Sequence, residues 1–374
     1  MIRYAAIVCA VAAIAAAVWQ FTVQLQSNHY EWDIPAGFPS PNVPTDNPMS
    51  EAKVTLGKAL FFEPALSGNG AMSCSTCHMP ELAFSEPRRH STGSTGDVVK
   101  RNAMALVNVA YNGSLTWAHD GLNTIEQQLM IPLFGEHPVE MGITGKKDIV
   151  LARFNTDDYR RLFDAAFEQP QPQWDHIIKA LASYVRSLTS FNSRFDDYAY
   201  RQDDNALSKA ELRGMELFFS ERLECFHCHG GFNFSQSSQH AFQQLDLRPF
   251  HNTGLYNIDG HGAYPSSDQG LIEITMNPSD MGRFRAPTLR NIAVTAPYMH
   301  DGSLPTLDSV IAFYAAGGLG AGVESPLKSQ FIKGFALTES EHQDLKAFLH
   351  SLTDQQFLQE PRHQALVNPP KVND

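Results

Sequence analysis

The apolar positions of this chain fall into helix-length groups set off by capping residues, and strand-like alternation is scarce. One group, Gly57-Lys58-Ala59-Leu60-Phe61-Phe62, returns as Gly214-Met215-Glu216-Leu217-Phe218-Phe219, with Leu66 and Leu223 matching beyond them. A second pair, Tyr184-Val185-Arg186-Ser187-Leu188-Thr189 and Phe348-Leu349-His350-Ser351-Leu352-Thr353, closes each half. The pattern predicts two copies of one helical unit. Asn47-Pro48 offers a cap and a first-turn proline, and Ser208-x-x-Glu211 and Thr338-x-x-Glu341 are capping boxes before later helices.

Between the helical groups the reading changes. Prolines 35, 39, 41 and 44 mark an extended arm over the surface. The polar run Arg201 to Asn205 suits a joint between the halves, and Phe232 to Asp280 should be irregular. The run from Ala5 to Trp19 is apolar, follows one positive charge and ends in small residues, as an export signal does. It is shorter than the ~20 residues a spanning helix prefers. Cleavage near Ala17 is expected, the alternative being an N-terminal anchor. The expected organisation is a leader over 1–28, units over 29–200 and 206–360, and a frayed, flexible tail over 361–374.

Each half holds one Cys-x-x-Cys-His, at Cys74-Ser75-Thr76-Cys77-His78 and at Cys225-Phe226-His227-Cys228-His229. In this motif both thiols add to the vinyl groups of a haem and the histidine ligates its iron. A zinc site would need a fourth ligand for each set, and neither half has a second cysteine pair. The expected fold is therefore mostly α, with two tandem cytochrome c-like domains, each carrying one covalently bound c-type haem. The fifth cysteine, Cys9, lies in the leader, so no structural disulfide is available to the body. Haem attachment of this kind fits a periplasmic location. A formal charge of -12 without a basic run argues against nucleic acid as a partner.

Further motifs carry a family likeness. They are Phe284-Arg285-Ala286-Pro287-Thr288-Leu289-Arg290-Asn291, Thr295-Ala296-Pro297-Tyr298-Met299-His300-Asp301-Gly302, Leu115-Thr116-Trp117-Ala118-His119-Asp120-Gly121 and Pro132 through Gly142. With them the chain resembles bacterial di-haem cytochrome c peroxidases, and more closely the MauG branch that oxidises partner proteins. It looks like the MbnH-like enzymes of methanobactin-type gene clusters, which implies conversion of a partner's tryptophan to kynurenine.

The resemblance also implies roles. Glu140 matches the distal acid-base residue of the peroxidatic haem, and Gln128 its pocket partner. The loop that holds a blocking histidine in the peroxidase branch is here Ser91-Thr92-Gly93-Ser94-Thr95-Gly96. His90 stands off the ligand position and is expected to be an exposed loop histidine, leaving the His78 haem open to hydrogen peroxide. Tyr314, fourteen residues after His300, occupies the place of a methionine ligand to the electron-transfer haem at His229; Met281 and Met299 are the rivals. A phenolate is a hard anionic donor that favours high-valent iron. Trp117 matches the tryptophan set between the haems, and Asn102 with the carbonyls of Thr295 and Pro297 matches an inter-haem calcium site. The expected enzyme spreads the oxidising equivalents of peroxide over both haems, as a state with both irons at Fe(IV), and draws electrons from a periplasmic partner protein. The alternatives are a peroxidase fed by a small electron-donor protein and a non-enzymatic two-haem electron carrier.

Overall fold

The computed structural model describes residues 30–243 and 248–373; the expected leader and its cleavage site lie outside the described residues. The described helices run, in chain order, α1 (Glu51–Phe61), α2 (Ile125–Phe134), α3 (Lys147–Arg153), α4 (Asp157–Phe167), α5 (Trp174–Ser187) and α6 (Arg194–Tyr200). There follow α7 (Lys209–Phe218), α8 (Phe226–His229), α9 (Ile272–Thr275), α10 (Leu307–Ala316), α11 (Glu339–Ser351) and α12 (Gln355–Gln359). The strands described are β1 (Phe250–His251) and β2 (Phe284–Arg285), antiparallel, with Phe250 opposite Arg285. The chain is mostly helical, and no helix among the described residues is long and apolar enough to cross a membrane.

The internal repeat is a repeated helix crossing. In the first half α1 crosses α5 at Gly57, where an added Cβ would lie 2.0 Å from the Ala180 carbonyl oxygen and 2.8 Å from Tyr184 Cβ. In the second half α7 crosses α11 at Gly214, where it would lie 1.9 Å from the Asp344 carbonyl oxygen and 2.8 Å from Phe348 Cβ. Glycine is required because the two backbones touch. Around the crossings Leu56, Leu60, Phe61, Leu181 and Tyr184 fill one core, and Phe218, Phe234, Leu345 and Phe348 the other. Each fully buried large apolar side chain is worth about 1.5–3 kcal/mol.

Both capping boxes form: Ser208 accepts from Glu211 N–H ahead of α7, and Thr338 from Glu341 N–H ahead of α11. Between β1 and β2 the chain is largely irregular, as expected, apart from one turn at α9. The arm is anchored by Phe38, whose ring lies edge-on to Phe191, Tyr200 and Phe232 at 4.6–5.6 Å.

The halves are laced together. Arg290 and Asp196, buried to 1% and 0% exposure, pair through two bonds of 2.8 and 2.9 Å. Arg101 binds Asp268 at 2.7 and 2.8 Å. After α11 the chain returns to the first half, where Phe357 enters the first core against Phe84. The expectation of a flexible tail is corrected. His363 is buried against Phe84 and Phe357, Leu366 and Val372 pack on the first core, and Asn373 N–H donates to the Arg153 carbonyl at 2.8 Å. Its prolines suit an extended course, and the first half supplies backbone partners.

Candidate functional site

Both Cys-x-x-Cys-His motifs fold as a tight turn that turns the histidine ring back onto a carbonyl. In the first, Ser73 begins a 3-10 turn over Cys74–Thr76, and His78 N–H donates to the Cys74 carbonyl at 3.0 Å. His78 Nδ1 then lies 2.8 Å from the Phe84 carbonyl, and the Met104 backbone also bears on this ring. In the second, His229 N–H donates to the Cys225 carbonyl at 2.9 Å, and Nδ1 lies 3.1 Å from the Pro287 carbonyl and 3.3 Å from that of Phe234. A carbonyl on Nδ1 leaves Nε2 free to ligate, the usual arrangement for a metal-binding histidine. Burial pushes His78 down and His229 down to about 4, so both rings are neutral, as ligands must be. None of the four motif cysteines is tied up in a disulfide, and burial pushes Cys74 and Cys225 up to about 12 and Cys228 up to about 11.

Around the second motif opens a cavity of about 300 Å³. Cys225, Cys228, His229 and Tyr314 line it together. Met299 lines it as well, whereas Met281 packs in the neighbouring core. Burial first, then the two thiols and Tyr264, push the Tyr314 hydroxyl far above the usual phenol range. Arg285 also faces the cavity: burial lowers it to about 10, and its Nη1 is buried without a protein partner. A guanidinium with one orphaned nitrogen, beside two cysteines and a neutral imidazole, fits a haem, whose carboxylates would complete Arg285.

The first motif faces Glu140. Burial pushes this carboxyl above the usual range, and its charge bears on both Cys74 and Cys77. Its backbone is fastened on two sides: Ser94 N–H donates to the Glu140 carbonyl at 2.7 Å, and Met141 N–H to the Pro132 carbonyl at 2.9 Å. Pro132 lies in the last turn of helix α2, which also carries Gln128, whose Oε1 is buried without a partner. The Thr124–Gln127 capping box starts α2, and Arg186 clamps it through Glu126 at 2.8 and 2.9 Å. The histidine-free loop 91–96 lies directly on this segment, since a Cβ on Gly93 would sit 1.8 Å from the Val139 carbonyl. His90 is corrected: it is half-buried, and its Nδ1 is enclosed without a partner.

One stretch of the first half reaches into the second cavity. Asn102, Met104 and Trp117 all line it. Trp117 Nε1 donates to the Asn102 carbonyl at 2.8 Å, and Arg285 N–H to the Trp117 carbonyl at 2.7 Å. Arg285 Nη2 lies 3.3 Å from Met104 Sδ, so Met104 touches both sites, backbone toward His78 and side chain toward Arg285. Thr295 and Pro297 line the same cavity as Asn102.

Comparison with known proteins decides the kinship. A family model described as di-haem cytochrome c peroxidase matches residues 51–205. The cytochrome-c peroxidase IdrP1 of Pseudomonas sp. (strain SCT) is 33% identical over 85% of both chains. The methylamine utilization protein MauG of Methylophilus methylotrophus is 31% identical over 83% of this chain and 84% of its own. This chain belongs to the di-haem cytochrome c peroxidase and MauG family. A crystal structure of a MauG-like protein associated with microbial copper homeostasis matches with a TM-score of 0.87 and 47% identity, over 90% of this chain and 99% of that one.

A member of this family is an oxidoreductase that takes two haems and hydrogen peroxide. Within it, sequence reasoning left Met104 without a role and Arg285 as one letter of a signature. An arginine between apolar neighbours in Phe284-Arg285-Ala286 was the available signal for the second. Met104 had none, because a lone methionine is ordinarily packing.

Proposed function

We propose that this chain is a periplasmic, hydrogen-peroxide-dependent di-haem oxidase that draws electrons from a tryptophan of a partner protein and converts it to kynurenine. The observation that carries this reading is Tyr314, a tyrosine in the methionine place, whose buried hydroxyl shares a cavity with Cys225, Cys228 and His229. In this reading Cys74 and Cys77 hold one haem and Cys225 and Cys228 the other. His78 and His229 ligate the irons, and Tyr314 is the second ligand at the His229 site. When bound, the haems supply the iron chemistry that takes up the two oxidising equivalents of peroxide.

The chain's own residues do the rest. Glu140, buried and easily protonated, takes the proton from one peroxide oxygen and returns it to the other. Gln128 offers its unpartnered Oε1 to hold that proton donor in place. Trp117, hydrogen-bonded to Asn102, passes charge between the sites. Asn102 and the carbonyls of Thr295 and Pro297 supply oxygen donors of the kind calcium takes. Likeness to the MauG-like protein associated with microbial copper homeostasis supports the MauG-like branch.

The cytochrome-c peroxidase relatives favour a second reading, removal of peroxide at the expense of a small electron-donor protein. One experiment separates the two. The haem-loaded enzyme is mixed with peroxide and the product of the neighbouring gene, and the partner's peptides are weighed. An oxygen-containing mass gain on a tryptophan is expected. Its absence, with rapid oxidation of a small cytochrome instead, leaves the second reading.

A further inference from the structure

An aromatic wall leads out of the second cavity. Phe284 and His300 line the cavity and stack, their ring centroids 3.6 Å apart and their planes 13° from parallel. Tyr264 packs on both, at 6.0 Å from Phe284 and 6.1 Å from His300. Tyr256 meets Tyr264 edge-on at 5.3 Å. Tyr256 is half-buried, and its hydroxyl donates to Asp301 Oδ2 at 2.6 Å. The rings end at the seam between the halves, where the exposed Arg89 donates to the Asp301 carbonyl at 3.2 Å. Leu223, two residues before Cys225, also lines the cavity and has no ring to offer.

The two tyrosines differ in where a proton can go. Losing an electron makes a phenol a strong acid, so a tyrosine retains a hole only where a base accepts its proton. Tyr264 is buried, and its hydroxyl faces the amide oxygen of Asn252 at 3.2 Å, which is not a base. Tyr256 faces a carboxylate. Burial pushes Asp301 up, but hydrogen bonds from Tyr256 and Ser303 outweigh it and hold the group ionised. A length of 2.6 Å is that of a charge-assisted O–H···O⁻ bond. Because electron tunnelling decays exponentially with distance, rings in contact pass a hole onward until a proton acceptor stops it.

We propose that Tyr256 is the relay through which oxidising equivalents leave the second cavity for an electron donor at the protein surface. The proposal rests on the peroxide-dependent reading above. Tyr256 gives one electron to the oxidised second site, through Tyr264, and its phenolic proton to Asp301, leaving a neutral phenoxyl radical. The external donor returns the electron and Asp301 the proton. Two such passes consume the two oxidising equivalents of one hydrogen peroxide, whose oxygens leave as water with two protons from solvent.

The test mixes haem-loaded full-length protein with one equivalent of peroxide and no donor, in the presence of a nitroso spin trap. Peptide mapping should find the trap on Tyr256, and freeze-quench EPR should show a transient phenoxyl signal that sharpens with ring-deuterated tyrosine. Tyr256→Phe should lose both while haem content and the initial peroxide-driven spectral change stay intact. With a small reductant then added as donor, Asp301→Asn, which keeps the shape without the base, should slow return of the resting spectrum about 10²-fold, and Tyr256→Phe should slow it too. A trapped radical of undiminished yield in Tyr256→Phe, or return of the resting spectrum at the wild-type rate in both variants, overturns the relay. A wild-type haem spectrum that peroxide leaves untouched overturns the peroxide-dependent reading instead.

Discussion

The indole N–H of Trp117 donates to the carbonyl oxygen of Asn102 at 2.8 Å. Asn102 is itself pinned across the seam, its backbone N–H on the His300 carbonyl at 2.8 Å and its side-chain amide on the Arg88 carbonyl at 2.9 Å. The proposed bridge between the haems and the proposed calcium ligand are therefore one mechanical unit. Trp117→Phe should cost about 1 kcal/mol for the lost bond. It should keep both haems and slow oxidation of the partner protein. Calcium chelation should slow that oxidation in the wild type and add little in Trp117→Phe. Thermal melts and a partner-oxidation time course check both; additive losses would separate the calcium from the indole.

Glu140 sets a direction for pH. Its carboxyl is raised by burial, so the ionised form that accepts the peroxide proton is lost at a higher pH than for an ordinary glutamate near 4.3. The rate of the peroxide reaction should fall as pH drops through that raised value, and the acid limb should vanish in Glu140→Gln. The variant should also react ~10²–10⁴-fold more slowly with both haems present. Stopped-flow mixing across a pH series decides, and a wild-type rate in the variant excludes the role.

Tyr314 makes a spectroscopic prediction. With an open His78 site and Tyr314 at the other, the ferric protein should show one high-spin and one low-spin haem. Tyr314→Phe should alter the low-spin signal alone. Met299 shares the cavity, so a methionine-ligated spectrum in the wild type would hand the position to that residue.

The helix crossings give a prediction independent of any cofactor chemistry. Gly57→Ala places a methyl 2.0 Å from the Ala180 carbonyl, which a rotamer change cannot relieve. The helices must part, at a cost of about 1–3 kcal/mol or more. Gly214→Ala should do the same in the second half. Denaturant unfolding of the haem-loaded protein reads both, and unchanged midpoints would mean that the crossings are looser than described.

What the sequence by itself determined is what short-range chemistry dictates. Five consecutive residues carry everything a Cys-x-x-Cys-His turn needs, so both motifs were legible at once. The paired crossings were legible for a related reason: Gly57 with Tyr184, and Gly214 with Phe348, leave the same imprint in both halves because the same backbone contact is made twice. Capping boxes at Ser208 and Thr338 likewise act over three residues.

Only the tertiary structure decided which distant residues share a wall. Asn102, Met104 and Trp117 belong by sequence to the first half yet line the cavity of the second, and Tyr256 meets its carboxylate 45 residues on. The tail looked free because its composition is polar and proline-rich, but Leu366, Val372 and the Asn373 backbone find partners on the first half. His90 looked like a surface residue in a polar loop, yet it is half-buried with its Nδ1 enclosed. Such contacts are set by how two cores dock, which depends on the summed shape of both surfaces and leaves no periodicity in either stretch of chain.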